Sequence, residues 1–123
     1  MVKQITRNEL LEMINSSRKF TLLDVLPKES YFREHIKGAI SLPLEEIEKG
    51  AVKGLNKGDL IVTYCANFDC PASTKAAEKL ISLGYNNVLD YKGGLKDYKE
   101  AALATEGSLY GQTERKKAGC CNC

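Results

Sequence analysis

The sequence predicts an α/β fold in which helices cover both faces of a parallel sheet. Short apolar runs alternate with segments of helical spacing along most of the chain. The run at residues 20–25 continues without regular polar alternation, which is typical of a strand covered on both faces. The run at residues 60–64 is rich in β-branched side chains and is predicted to be the central strand.

The N-terminal segment predicts a short strand followed by a helix. Residues 2–5 fit the strand, and Thr6-Arg-Asn-Glu9 fits a capping box, in which Thr6 begins the helix and Glu9 reaches back to it. The apolar positions on one face of this helix are Leu10, Met13 and Ile14. The helix should end near residues 16–17.

Three further elements are predicted between the two apolar runs. Pro27 ends the strand at residues 20–25, and a short helix is expected over residues 29–35. A short strand at residues 39–42 follows the turn at Lys37-Gly38. Residues 44–49 have helical spacing.

The segment after the central strand contains the clearest helix, over residues 71–83. Its apolar side consists of Ala72, Ala76, Leu80 and Leu83. Gly84 ends it, a strand is predicted at residues 87–91, and a last helix at residues 95–102.

Length and composition limit the classes of function. With 123 residues and a net charge of +2, the chain suits one domain and gives no reason to expect nucleic acid or an anionic membrane as a partner. No apolar run is long enough for a membrane span or a signal peptide, so a cytoplasmic location is expected. We expect a domain over residues 1–106 and a flexible tail over residues 107–123.

Cys65 follows the predicted central strand and stands before a short loop and a helix that begins near Pro71. Loop N–H groups and the positive end of a helix both favour a thiolate, which would lower the pKa of this thiol below the usual value of about 8.5. The sequence therefore indicates a nucleophilic cysteine. The alternative is a buried, inert cysteine at the end of a strand.

Several segments, in this order and spacing, resemble the rhodanese-like domain family. They are Leu23-Asp24-Val25, Tyr31, His35-Ile36-Lys37-Gly38-Ala39-Ile40, Pro43, Tyr64-Cys65, Gly84-Tyr85, Val88, Tyr91-Lys92-Gly93-Gly94-Leu95 and Tyr98. The resemblance implies a doubly wound α/β domain around a five-stranded parallel sheet. It also implies a sulfurtransferase that carries a persulfide on Cys65, without a cofactor. The donor would be thiosulfate, a persulfide or a polysulfide, and the acceptor a small thiol or a protein.

The sequence departs from the family pattern at three places. Leu26 stands where an arginine is frequent, and Tyr98 where a tryptophan is frequent. The loop after Cys65 is about two residues longer than usual and contains no arginine or lysine. A loop without basic residues is expected to hold a thiosulfate dianion weakly.

The loop that would cradle the transferred sulfur provides the expected binding groups through its backbone. Its residues are Ala66, Asn67, Phe68, Asp69 and Cys70. Phe68 alternatively packs as an anchor of the loop, and Asn67 alternatively forms its turn. Cys70 has two alternative roles. It either resolves the persulfide by forming a disulfide with Cys65, or it is a small side chain that fills space before Pro71.

Two other polar residues are expected to support the site. Asp24 ends a strand, and should lie at the carboxyl edge of the sheet, where it would hydrogen-bond loop amides or the start of a helix. His35 is the only histidine and is expected to have a structural hydrogen-bonding role.

The tail cysteines are Cys120, Cys121 and Cys123. They suit a soft metal or a sulfur relay, but three adjacent sulfurs rarely complete a metal site, and we predict no metal.

Three other functions compete with sulfur transfer. A phosphatase of this architecture needs an arginine in the loop, and the loop has none. A non-catalytic rhodanese-like binding module is the main alternative. A thiol–disulfide or arsenate-type reductase that uses Cys65 and Cys70 is the third.

Overall fold

Five parallel strands form the main sheet of the computed structural model, which describes residues 2–16, 18–50, 52 and 54–108. The elements in chain order are β1 (Lys3–Ile5), α1 (Arg7–Asn15), β2 (Thr21–Asp24), α2 (Lys28–Arg33), β3 (His35–Ile36), β4 (Ile40–Ser41), α3 (Leu44–Glu48), β5 (Leu60–Tyr64), α4 (Ala72–Ser82), β6 (Asn87–Tyr91), α5 (Gly94–Glu100) and β7 (Thr105–Glu106). The main sheet has the order β1-β6-β5-β2-β4, and each neighbouring pair is parallel. The predicted five-stranded parallel sheet, with β5 at its centre, is confirmed.

The hydrophobic core is divided between the two faces of this sheet. Successive residues of a strand point to opposite faces, so neighbours in β5 belong to different halves of the core. Val62 packs with side chains of α1 and α5, whereas Ile61 packs with side chains of α3 and α4. Because helices cover both faces, the doubly wound arrangement is also confirmed.

The predicted start of α1 is confirmed in detail. The backbone N–H of Glu9 donates to Thr6 Oγ1 at 3.2 Å, and the backbone N–H of Thr6 donates to Glu9 Oε1 at 2.9 Å. Leu10 and Met13 are buried as expected, but Ile14 is 41% exposed. Ile14 lies one turn after Leu10 on the same face of the helix, beside Phe20 and Leu22, at the solvent-exposed edge of this half of the core.

A second, two-stranded sheet was not predicted. Helix α2 ends at Arg33, Glu34 is extended, and His35 and Ile36 form β3 instead of continuing the helix. Strand β3 pairs antiparallel with β7, with His35 opposite Glu106. The prediction that His35 ends a helix is therefore wrong. His35 is extended because it pairs with a strand far along the chain, and local sequence spacing does not reveal that pairing.

The described part of the chain ends shortly after β7. Gly107 packs against α2, where a Cβ atom would lie 2.4 Å from the carbonyl oxygen of Arg33. Residues 109–123 lie outside the described residues, and with them the cysteines Cys120, Cys121 and Cys123. The predicted boundary between a domain over residues 1–106 and a tail stays a prediction. Among the described helices, none has both the length and the apolar character needed to cross a bilayer.

A buried polar chain connects the ends of β2, β5 and β3. The carboxylate of Asp24 accepts hydrogen bonds from the N–H of Leu26 at 2.9 Å and from the hydroxyl of Tyr64 at 2.8 Å. The Tyr64 oxygen accepts in turn from the N–H of Ile36 at 3.0 Å. Burial raises the pKa of Asp24 above its usual range. Tyr64 thus satisfies two buried groups immediately before Cys65.

Replacing Tyr64 with phenylalanine is expected to lower the free energy of unfolding by about 2–3 kcal/mol, since it leaves a buried acceptor on Asp24 and a buried N–H on Ile36 without partners. Urea denaturation of both proteins measures the difference. Tyr85→Phe is the matched control; its hydroxyl donates to the Leu55 carbonyl at 3.3 Å, and we expect a loss of less than about 1 kcal/mol. Equal losses in the two variants would contradict the role of the buried chain.

Candidate active site

The candidate site lies at the carboxyl end of the central strand. Strand β5 ends at Tyr64, Cys65 follows directly, and α4 begins at Ala72 after the intervening loop. Neighbouring strands β2 and β6 end at the same edge, opposite Tyr64, with Asp24 and Tyr91. The crevice at the carboxyl edge of an α/β sheet is where ligands of such folds bind.

Asn67 gives the loop its tight shape. Its side-chain oxygen accepts from the N–H groups of Asp69 at 3.0 Å and Cys70 at 3.1 Å, and its carbonyl accepts from the N–H of Cys70 at 3.2 Å. This is the turn-forming role weighed for Asn67 from the sequence. The turn brings residue 70 back over Cys65.

The start of α5 holds the base of the loop. The N–H of Leu95 donates to the carbonyl of Cys65, and the N–H of Lys96 donates to the carbonyl of Ala66, each at 2.9 Å. Gly94 passes close below: a Cβ atom on it would lie 2.3 Å from the Cys65 carbonyl oxygen. Gly94 also has a φ of +67°, which L side chains rarely adopt. Glycine is therefore required here for two separate reasons.

The thiol of Cys65 is fully buried, with a relative exposure of 0%. Its Sγ lies 3.2 Å from the carbonyl oxygen of Cys70 and 3.9 Å from that of Asn67, contacts in which the thiol donates. Burial raises the pKa of Cys65, and the hydrogen bond to the Cys70 side chain raises it further. The expectation of a lowered pKa is wrong in direction, because loss of hydration outweighs the loop and helix dipoles.

Cys70 has the lower pKa of the two loop thiols. Burial acts to raise the pKa of Cys70, but a hydrogen bond from Cys65, the amides of Ala72 and Ala66, and the charge of Lys92 together lower it. The side chain of Cys70 is partly exposed. The anion-stabilising groups expected around Cys65 thus act mainly on its neighbour.

Lys92 and Ser73 belong to the site and were not predicted as site residues. The Lys92 ammonium group donates to the Cys70 carbonyl at 2.7 Å, so the residue that follows β6 provides the positive charge that the loop sequence lacks. Ser73, whose buried hydroxyl has no hydrogen-bond partner among the described residues, acts to lower the pKa of Cys65 but does not outweigh its burial. Lys92 follows a strand next to β5, and Ser73 lies in the first turn of α4. The predicted elements place both positions at the carboxyl edge of the sheet, and this placement could have identified them as site residues.

A groove of about 430 Å³ opens beside the loop. Phe68, which is 62% exposed, forms one wall together with Lys92, and the turn between β1 and α1 forms the other with Thr6 and Arg7. Asp69 is also exposed, whereas Ala66 and Asn67 are partly buried. The exposed ring of Phe68 does not support the alternative of a packed anchor.

Asp24 and His35 lie outside the loop. Asp24 contacts Leu26 and Tyr64, as described above. The ring of His35 stacks on Tyr31 with 3.8 Å between centroids, and its Nδ1 lies 2.7 Å from the Tyr31 carbonyl oxygen. None of these contacts involves the loop, so both residues have structural partners.

Comparisons with known proteins agree on one family. A model described as the rhodanese-like domain matches residues 6–101. The thiosulfate sulfurtransferase PspE of Escherichia coli (strain K12) is 40% identical over 76 residues, which cover 61% of this chain and 70% of PspE. The thiosulfate sulfurtransferase GlpE of Coxiella burnetii is 28% identical over 99 residues, which cover 80% of this chain and 89% of GlpE.

A solved structure gives the same result. The solution NMR structure of a rhodanese-like domain from Anabaena sp. superimposes with a TM-score of 0.80 at 30% sequence identity. The match covers 98% of this chain and 88% of that domain.

Proposed function

The chain belongs to the rhodanese-like domain family, and on this premise we propose that it is a sulfurtransferase that carries sulfane sulfur as a persulfide on Cys65. The observation that supports the proposal most directly is the position of Cys65. Cys65 lies at the carboxyl end of the central strand. Its carbonyl accepts a hydrogen bond from the start of α5, and the following loop folds back over it. The relatives PspE and GlpE are named as thiosulfate sulfurtransferases.

The proposed reaction is a double displacement. The Cys65 thiolate attacks the outer sulfur of a donor such as thiosulfate, a persulfide or a polysulfide, and the rest of the donor leaves. With thiosulfate the leaving group is sulfite. A thiophilic acceptor, either a small thiol or a protein thiol, then removes the outer sulfur and restores Cys65. The loop Ala66, Asn67, Phe68, Asp69 and Cys70 surrounds the transferred sulfur in this proposal, and reduced thiols fit a cytoplasmic location.

The residues around the loop have different tasks in this proposal. Ser73 acts against the burial of Cys65 by lowering its pKa. Lys92 donates to the Cys70 carbonyl of the loop, and its charge is available to an anionic donor. Asp24 and His35 support the fold beneath the loop. No step in this scheme requires a metal or a cofactor.

The proposal is tested by adding thiosulfate to the reduced full-length protein and measuring sulfite. We expect about one sulfite per chain in the first turnover, followed by continuous thiocyanate formation when cyanide is supplied as acceptor. Absence of both products, with persulfide and polysulfide donors also inactive, would exclude the enzyme and favour the binding module.

Replacing Lys92 with glutamine is expected to raise the KM for thiosulfate about tenfold, equivalent to about 1.4 kcal/mol of binding free energy, because the anionic donor loses a nearby positive charge. Steady-state kinetics at low ionic strength measure the change, which should shrink as salt is added. Lys75→Gln removes the same charge from the exposed side of α4 and serves as the control. If both variants have the same KM, Lys92 does not contact the donor.

A further inference from the structure

The loop places two thiols against each other. The turn made by Asn67 returns residue 70 to Cys65, whose Sγ lies 3.2 Å from the Cys70 carbonyl oxygen. Each thiol acts on the pKa of the other, raising that of Cys65 and lowering that of Cys70, and both cysteines are free. Sulfane transfer at Cys65 uses only one of these sulfurs, so the second has no assigned task.

The surroundings of the two sulfurs differ in a way that suits successive roles. Cys65 is fully buried, whereas Cys70 is partly exposed. The amides of Ala66 and Ala72 and the Lys92 ammonium group act on Cys70 and favour its thiolate. A thiolate held next to a sulfur that becomes a persulfide is placed to attack it.

We propose that Cys70 is the resolving thiol of the loaded site: when no acceptor arrives, it attacks Cys65, releases hydrosulfide and closes a Cys65–Cys70 disulfide. This inference rests on the proposed persulfide at Cys65. The loop would then release the bound sulfur as hydrosulfide and be left with a Cys65–Cys70 disulfide.

The step balances in atoms and electrons. The Cys70 thiolate forms a bond to Cys65 Sγ, the bond between that sulfur and the protonated outer sulfur breaks, and hydrosulfide leaves with the electron pair. The Cys70 sulfur is oxidised by one electron as it passes from thiolate to disulfide, and the outer sulfur is reduced by one electron as it leaves as hydrosulfide. The Cys65 sulfur keeps its oxidation state, because it exchanges one S–S bond for another. A small thiol or dithiol reductant then reopens the disulfide.

The relative acidity of the leaving groups indicates which sulfur Cys70 attacks. Attack on the outer sulfur would expel the Cys65 thiolate, which burial makes a poor leaving group. Attack on Cys65 Sγ expels hydrosulfide, the conjugate base of a stronger acid than a buried thiol. The chemistry of the leaving groups therefore favours a disulfide over a relay of sulfur to Cys70.

The experiment treats the reduced full-length protein with thiosulfate without cyanide or thiol, and measures sulfite, hydrosulfide and the mass of the loop peptide. The wild type is expected to release about one hydrosulfide per sulfite and to yield a loop peptide with Cys65 and Cys70 joined. Cys70→Ser and Cys70→Ala keep the backbone of residue 70 in the loop. Whatever the rate at which these variants load, each sulfite released is expected to leave one added sulfur on Cys65 and to be followed by no hydrosulfide.

A triple variant, in which Cys120, Cys121 and Cys123 are all serine, controls for the tail and should behave as the wild type. Wild-type protein that releases sulfite but keeps the added sulfur on Cys65, with Cys70 still open to alkylation, would overturn the inference and leave the sulfurtransferase intact. Loss of hydrosulfide release in the triple variant would also overturn it. No sulfite from any variant would instead refute the proposed function itself.

Discussion

Replacing Cys65 with serine is expected to reduce kcat/KM for sulfur transfer from thiosulfate to cyanide by about a thousandfold or more, because the covalent carrier of the sulfur is lost. A serine hydroxyl is far less acidic than a thiol and does not form a persulfide. Thiocyanate formation, measured under saturating cyanide, gives the effect.

Two controls separate chemistry from folding. Cys120→Ser makes the same chemical change outside the loop and should retain turnover. Cys65→Ala removes the nucleophile without leaving a buried hydroxyl, so the two Cys65 variants should be equally inactive whatever their stabilities. Full turnover in either one would show that another thiol carries the sulfur.

Gly94→Ala is expected to lower the free energy of unfolding by about 3 kcal/mol, combining left-handed backbone strain with overpacking. The added methyl group would overlap the carbonyl of Cys65, so α5 or the loop must move. That movement would break the bonds from Leu95 and Lys96 that hold the loop, and sulfur transfer should fall with stability. Urea denaturation and the thiocyanate assay measure the two losses.

Gly58→Ala is the matched control for this substitution. No atom lies within 4 Å of a Cβ added at Gly58, and its φ is not positive. We expect its free energy of unfolding to stay within about 0.5 kcal/mol of the wild type. A similar result for Gly94→Ala would mean that the close approach to Cys65 is not rigid.

Local patterns in the sequence predicted most of the fold. The capping box at Thr6, the apolar side of α4 and the strand before Cys65 each depend on neighbours within a few positions, and each is confirmed. Strand β3 could not be predicted in this way, because His35 and Ile36 become a strand only by pairing with Glu106 and Thr105.

The candidate site shows the same limit. The location of Cys65 between a strand and a helix follows from order along the chain. Its pKa does not, because burial depends on packing from both sides of the loop. The charge of Lys92, which acts on Cys70, comes from the residue that follows β6. Sequence therefore identified the nucleophile candidate and Cys70 as a possible partner thiol, whereas the opposite shifts in the pKa values of the two thiols required the three-dimensional arrangement.

The burial of Cys65 also bears on how readily this thiol is oxidised. Peroxide attacks accessible thiolates, and repeated attack converts them irreversibly to sulfinic and sulfonic acids. A protonated sulfur shut away from water escapes most of this damage. If Cys65 is the sulfur carrier that we propose, the burial that raises its pKa would also protect it between turnovers.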